Sequence, residues 1–535
     1  MSLLRVLVLS QALGFVVGEC SVNSSNCPGK LTRNTTSGIF APHFPSSHPA
    51  VVSFPNIPYA QCPTGKLRFA PPVARAPPAD GRVVHATDLP PGCVQSSQFA
   101  SDTVYDAQKS YLLHGGNSSR SDKSEDCLRL SIFAPKATVH GAVRGGGRTP
   151  LPPLPVIVWI HGGGFQSGGI DVPYQLAFNW VQRSQRHLMV HVQYRLGLLG
   201  FPNAAGLAAS GENVNLGLLD QRLAMEWVRA NIASFGGDAE RITLWGQSAG
   251  AFSTDAYLFA WAADPIVAGA IVGSGNALAL EAYTGPSANH THFTRVAASL
   301  GCAGLAPAAE LTCMRSVPSS RLQNYLEALR VNGPIQIIAD NVTVFSNYAA
   351  RIAAGGSQFP TRLPLLLGTT TDEGNGMVSY SFNGSKTATS LPPALQSESK
   401  AFTLRFVCGT LREVRLRSEA GAPTWQYLYA GNFTDISPRP WLGAYHSSEL
   451  PLVFGNLGIE GPVTGPFERR ASRYMQDLFL AFAEDPTGGL SRAGWPTALQ
   501  GRKSSIMKWA ADGKVGQLVD AHAIKLECTK NGYSV

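Results

Sequence analysis

Arg241-Ile-Thr-Leu-Trp-Gly-Gln-Ser-Ala-Gly250 decides how the rest of the chain is read. Arg241–Trp245 has the β-branched and aromatic content of a buried strand. It runs without a spacer into Gly246-Gln247-Ser248-Ala249-Gly250, and the stretch from Ala251 to Ala262 suits a helix. A G-x-S-x-G turn between a strand and a helix is a nucleophile elbow, a strained turn that lifts the serine oxygen above the sheet. The flanking glycines are needed because no Cβ fits where strand and helix nearly touch. A spectator serine in a glycine-lined turn would have the same five letters, and the strand before and helix after favour the elbow.

Working outward, short apolar runs alternate with helical stretches. Val156–Ile160 and Leu188–Tyr194 precede the elbow; Ala268–Val272, Leu363–Leu367 and Trp425–Tyr429 follow it. Continuous apolar runs of this length fit strands buried on both faces of a parallel sheet. Leu216, Leu219, Leu223 and Trp227 keep helical spacing, and Phe235-Gly-Gly-Asp238 ends that helix. The fold class is therefore α/β: one large, mostly parallel twisted sheet with helices on both faces. Lys136–Pro155, rich in Gly and Pro, reads as a loop inserted between two strands, and Phe259–Leu280 as a buried helix–strand connection. No internal repeat or domain boundary interrupts the pattern.

Composition narrows the classes. Of 535 residues only 15% are charged, against a usual ~25%. With 44% apolar residues and a net charge of +8, a disordered chain is excluded. The basic pI near 9.0 does not imply nucleic acid. Its densest basic stretch, Arg412, Arg415 and Arg417 interrupted by Glu413, reads as a solvated face. The N-terminus carries Arg5, an apolar run from Val6 to Val17, and then small residues around Gly18 and Cys20. That is the pattern of a secretory signal peptide over residues 1–20, and its apolar run of about twelve residues is too short to span a bilayer. Residues 21–535 read as one domain, without a transmembrane segment. Seven N-x-S/T acceptors agree with export: Asn23, Asn34, Asn117, Asn289, Asn341, Asn383 and Asn432. An oxidising compartment makes the nine cysteines candidates for disulfides. Cleavage after Cys20 would leave eight.

The chemistry follows from what an exposed serine needs. His161-Gly-Gly-Gly-Phe165 ends strand Val156–Ile160, where backbone N–H groups of Gly163 and Gly164, with that of Ala249, could meet a developing oxyanion. His161 itself reads as structural. A base and an orienting carboxylate must follow in the order Ser, Asp/Glu, His. Strand Leu363–Leu367 leads to Asp372-Glu373-Gly374, and Trp425–Tyr429 leads to His446. Ser248, Glu373 and His446 fit that order. Asp372 is a rival acid, and His290, His292 and His522 are rival bases. No metal-ligand spacing stands out.

These stretches resemble the type-B carboxylesterase/lipase family, the cholinesterase-like branch of the α/β-hydrolases, across nearly the whole chain after the leader. The resemblance rests on Ile57-Pro-Tyr59, Leu67–Pro72, Ser124–Leu128, His161–Phe165, Asn215–Gln221, Phe235–Asp238, Gly246–Gly250, Asp372–Gly374 and His446 with Glu449-Leu450 and Val453–Gly455. It implies nucleophile Ser248, acid Glu373, base His446, oxyanion donors Gly163, Gly164 and Ala249, and a supporting Ser274. It also implies structural ion pairs Arg68–Glu125 and Arg195–Asp220, and no cofactor. Family disulfides map onto Cys93–Cys127, Cys302–Cys313 and Cys408–Cys528; Cys27 and Cys62 would form a fourth bridge outside the family pattern. Cholinesterases carry a tryptophan in the Cys93–Cys127 loop and Glu before the nucleophile. Here no Trp lies in that loop and Gln247 precedes Ser248, which argues against choline esters. The expected activity is hydrolysis of a small-molecule or lipid ester outside the cell. The alternatives are a non-catalytic adhesion or ligand-binding relative, or an interfacial lipase. Oligomeric state is left open.

Overall fold

The structure, a computed structural model, describes residues 31–95, 123–140, 142–144, 147–149, 152–211, 213–284, 289–328, 337–360, 362–378, 390–437, 439–458, 463, 465–500 and 503–535. Its centre is an eleven-stranded sheet. The strands are β1 (Val51–Pro58), β2 (Arg129–Pro135), β3 (Leu154–Ile160), β4 (Leu188–Val192), β5 (Gly237–Gln247), β6 (Gly269–Gly273), β7 (Leu365–Thr370), β8 (Thr424–Tyr429), β9 (Leu499–Gln500), β10 (Lys503–Ala511) and β11 (Lys514–Asp520). They lie in the order β9-β10-β8-β7-β6-β5-β3-β4-β2-β1, with β11 on β10. From β4 to β10 through β3, β5, β6, β7 and β8 every pairing is parallel; β1, β2, β9 and β11 add antiparallel edges.

Strand periodicity divides the core in two. Val156, Val158 and Ile160 of β3 share one face with Ile242 and Leu244 of β5 and Leu365 and Leu367 of β7. Helices α1 (Leu216–Asn231), α2 (Ala249–Ala260) and α3 (Pro393–Glu419) contribute Met225, Leu258 and Phe406 to it. On the opposite face Trp159, Trp245, Trp425 and Tyr427 meet Met475, Phe479 and Phe482 of α4 (Pro466–Glu484). Trp159 and Trp245 pack with ring centroids 4.4 Å apart, and Phe454 stacks on Trp245 at 4.9 Å. Both faces are filled, so the strand ends are where chemistry can open to solvent.

Several expectations shift in the folded chain. The Lys136–Pro155 loop contains a helical turn, Ala137–His140, and a short antiparallel pair, Ala142–Arg144 with Gly147–Thr149. β4 ends at Val192, because Tyr194 leaves the sheet and donates its hydroxyl proton to the His161 carbonyl. The basic stretch is not a uniformly solvated face: it lies on α3, where Arg417 is fully buried over the Phe359 ring and donates to Leu363 O.

Candidate active site

Ser248 sits between the end of β5 and the start of α2 with φ 57° and ψ −123°. Such a backbone costs a non-glycine residue about 1–3 kcal/mol and persists only where its surroundings force it. The force here is steric. A Cβ on Gly246 would run into the Gly250 carbonyl, and one on Gly250 into the Ile160 carbonyl. The Ser248 N–H donates to Gly273 O at 2.9 Å, holding the turn against β6. From Ile242 to Phe259 every residue is buried except Ser248, which is half-buried. The elbow thus presents one side chain outward from a closed run.

β3 ends beside it. Gly163 and Gly164 take φ of +124° and +64°, conformations that glycine reaches without strain. A Cβ on Gly162 would stand 3.0 Å from the Ser248 Cβ and 2.8 Å from Gln247 O, so the loop lies directly against the elbow. The N–H groups of Gly163, Gly164 and Ala249 donate to no acceptor among the described residues. His161 is buried, its ring stacked on Tyr194 at 4.6 Å, a packing position.

The carboxylate and the imidazole meet across 73 residues of sequence: Glu373 Oε2 lies 2.5 Å from His446 Nδ1. Both are buried. The other oxygen of Glu373 accepts from Ser274 Oγ at 2.6 Å and from the Thr370 N–H at 2.8 Å. With Nδ1 facing the carboxylate, the ring keeps its hydrogen there and leaves Nε2 as the acceptor. In this structure Nε2 has Gln247 Nε2 at 3.2 Å, and the Ser248 hydroxyl makes no hydrogen bond among the described residues. On α3, Phe406 packs tilted against the imidazole and Phe402 edge-on to it, with centroids at 5.4 and 6.3 Å.

The rivals go elsewhere. Asp372 points at the loop that delivers the base, accepting from the Ala444 N–H at 3.1 Å while its own N–H donates to Ala444 O at 3.0 Å. His290 Nδ1 pairs with Asn203 O, and His522 begins the C-terminal helix His522–Lys530.

The chain matches the model of the carboxylesterase family over residues 37–402 and 397–526. It belongs to the carboxylesterase family. A secreted lipase of Gibberella zeae is 54% identical over 94% of this chain and 95% of its own length. A chlorogenic acid esterase of Aspergillus niger is 38% identical over 98% of this chain and all of its own. A solved PNB esterase structure shares the fold with a TM-score of 0.74, covering 94% of this chain and 99% of that one at 24% identity. With the hydrolytic relatives, the family makes this chain a carboxylic ester hydrolase.

In this carboxylesterase Cys93–Cys127, Cys302–Cys313 and Cys408–Cys528 are disulfides. Cys62 is a free thiol in weak contact with Thr64 Oγ1; Cys27, its expected partner, lies outside the described residues. Arg68–Glu125 and Arg195–Asp220 are buried ion pairs at 2.6 and 2.7 Å. Arg68 also donates to the Met314 carbonyl, so that pair ties a loop to a helix. Asn34, Asn289, Asn341 and Asn432 are exposed, whereas Asn23, Asn117 and Asn383 lie outside the described residues.

Sequence reasoning missed Asp372 as the clamp on the base loop, Gln247 as a partner of the base, and Glu449 as a buried acid. Glu449 is fully buried, with Oε2 unpartnered among the described residues. Burial first, and the Glu373 charge second, push its carboxyl up to about 8. Only the adjacency of Glu449 to His446 in sequence hinted at any of this.

Proposed function

We propose that this ester hydrolase works through Ser248, His446 and Glu373, with Gly163, Gly164 and Ala249 as the oxyanion donors and Ser274 fixing the acid. The observation that carries the assignment is the 2.5 Å Glu373–His446 bond beside a serine held in a strained elbow. Ser248 Oγ attacks the ester carbonyl as its proton passes to His446 Nε2, and Glu373 holds the ring and stabilises its charged form. The carbonyl oxygen becomes an oxyanion facing the three unoccupied N–H groups, where fixed donors lower the barrier most effectively. Collapse expels the alcohol, which takes the proton from His446, and leaves an acyl-enzyme. Water then repeats the sequence with the same base.

The substrate we propose is an ester with an apolar or aromatic acyl group, since Phe402 and Phe406 border the imidazole. The Gibberella relative is named a lipase and the Aspergillus relative a chlorogenic acid esterase, names that fit an organic ester of this kind. We also read the chain as exported, with residues 1–20 removed as a signal peptide, a single hydrolase domain from residue 21, and glycans on the exposed acceptors. The relative named as secreted supports export, and no helix among the described residues is long and apolar enough to cross a membrane.

An organophosphonate is expected to label Ser248 covalently and to abolish hydrolysis of p-nitrophenyl esters, with both effects lost in Ser248→Ala. Labelling that persists in Ser248→Ala would overturn the residue assignment. Rates for acyl chains from two to sixteen carbons, with and without micelles, separate an esterase from an interfacial lipase.

A further inference from the structure

Among the described residues the two ring nitrogens of the base face different side chains, Glu373 at Nδ1 and Gln247 at Nε2, and only the first belongs to the proposed triad. Gln247 is 2% exposed, at the last position of β5. Its side-chain amide lies between two pieces of the machinery. Nε2 is 3.2 Å from His446 Nε2, and Oε1 would stand 2.9 Å from a Cβ at Gly162, the first glycine of the oxyanion loop. Glu373 holds the ring hydrogen on Nδ1, so His446 Nε2 offers a lone pair, and the amide NH₂ is the group that can satisfy it. That is the lone pair Ser248 must use, and the Ser248 hydroxyl is not bonded to it here.

We infer that Gln247 is a positioning residue that holds the neutral imidazole in the resting enzyme and yields Nε2 to Ser248 when substrate binds. The inference rests on the serine-hydrolase reading above. Its physical content is an exchange of partners. The Ser248 O–H displaces the Gln247 N–H from Nε2, and the serine proton then moves onto that nitrogen. The new N–H on the imidazolium cannot face an amide NH₂, so Gln247 turns Oε1 toward it or withdraws. A hydrogen bond donated to the neutral form of a base favours that form. Gln247 therefore favours the neutral ring, the form that can accept the Ser248 proton.

The other groups facing the imidazole do not duplicate this effect. Glu373 occupies Nδ1 from the turn after β7. α3 contributes the apolar rings Phe402 and Phe406. Glu449, on the base's own segment, and Tyr427 of β8 interact with Glu373, and burial disfavours the charged form of both. Gln247 is the side chain recorded on Nε2.

The test follows protonation of His446 by NMR in full-length protein with ¹⁵N-labelled histidine, alongside the pH dependence of kcat/KM for p-nitrophenyl acetate. Gln247→Met, which keeps the volume and loses the donor, is expected to move the His446 midpoint and the acid limb upward by about 0.5 pH unit. Gln247→Glu places a carboxylate beside the ring and is expected to move both by about one unit or more. Midpoints within 0.2 unit of wild type in both folded variants would overturn the proposal. If one variant fails to fold, the other decides. Should the hydrolase reading itself fail, there is no acid limb to measure, yet the NMR midpoint still reports whether Gln247 holds the ring.

Discussion

Ser248 and His446 come to the same spot above the sheet, but different forces hold them. The nucleophile is fixed by backbone sterics. Gly246 and Gly250 let β5 and α2 approach until a single methyl would collide with a carbonyl, and Ser248 has nowhere to go but φ 57°. The base is fixed by side-chain hydrogen bonds drawn from three separate segments. Glu373 holds its ring, Ser274 holds Glu373, Asp372 clamps the loop at Ala444, and Gln247 takes its outer nitrogen. The contrast teaches where each half tolerates change. Sterics permit no partial loss, whereas a network can lose one member and keep its geometry in part.

The sharpest way to break the comparison is at the elbow. Gly250→Ala drives a Cβ into the Ile160 carbonyl, a backbone atom that cannot swing aside. The expected result is a fall of more than ~10³-fold in kcat/KM, with a destabilisation above about 4 kcal/mol, measured by kinetics and thermal melts on purified protein. A Gly250→Ala protein with wild-type melting and activity would show that the elbow is looser than its geometry implies.

Ser274→Ala tests the network and should be milder. It removes a buried donor 2.6 Å from Glu373 Oε1 while the Thr370 N–H remains. Losing one charge-assisted bond of about 1.5–3 kcal/mol predicts a ~10–100-fold drop in kcat with KM little changed. A change confined to KM would place Ser274 in substrate binding instead.

The smallest effect belongs to Glu449→Gln and is visible only against pH. Glu449 in the folded protein keeps its proton up to about pH 8, against an ordinary 4.5. Between those values the unfolded chain binds fewer protons than the native one, so wild-type stability falls as pH rises through that window. The glutamine carries no such cost. Melting temperatures should coincide near pH 4.5 and diverge by ~1–3 °C in favour of the variant at pH 8. Parallel melting curves across that range would mean that Glu449 is ionised in the fold.

Much of the nucleophile's half was legible in the sequence, because its information is local. Strand, G-x-S-x-G and helix adjoin, and the collisions that strain Ser248 come from the two glycines beside it and the end of β3. The chain order of Ser248, Glu373 and His446 could be read as well, since each ends a strand or the loop after one. The network around the base was not. Asp372 looked like a competing acid until the fold set Ala444 against it, and Arg417 looked like solvated charge until α3 packed it over Phe359. Cys62 looked like a disulfide partner, and its thiol is free. For Asp372 and Arg417 the residue type announced a capacity to bond, while the partners lay 72 and 54 residues away.

By itself, then, the sequence determined the parallel sheet and the elbow, because hydrophobic period and glycine sterics act over a few residues, and its chain order suggested the three side chains proposed to react. Tertiary structure alone decided which nitrogen of His446 faces Glu373 and which faces Gln247, and that Glu449 is buried within reach of the Glu373 charge. Those depend on hydrogen bonds that lose their geometry within an ångström, and only the packed sheet brings Gln247, Glu373 and His446 that close.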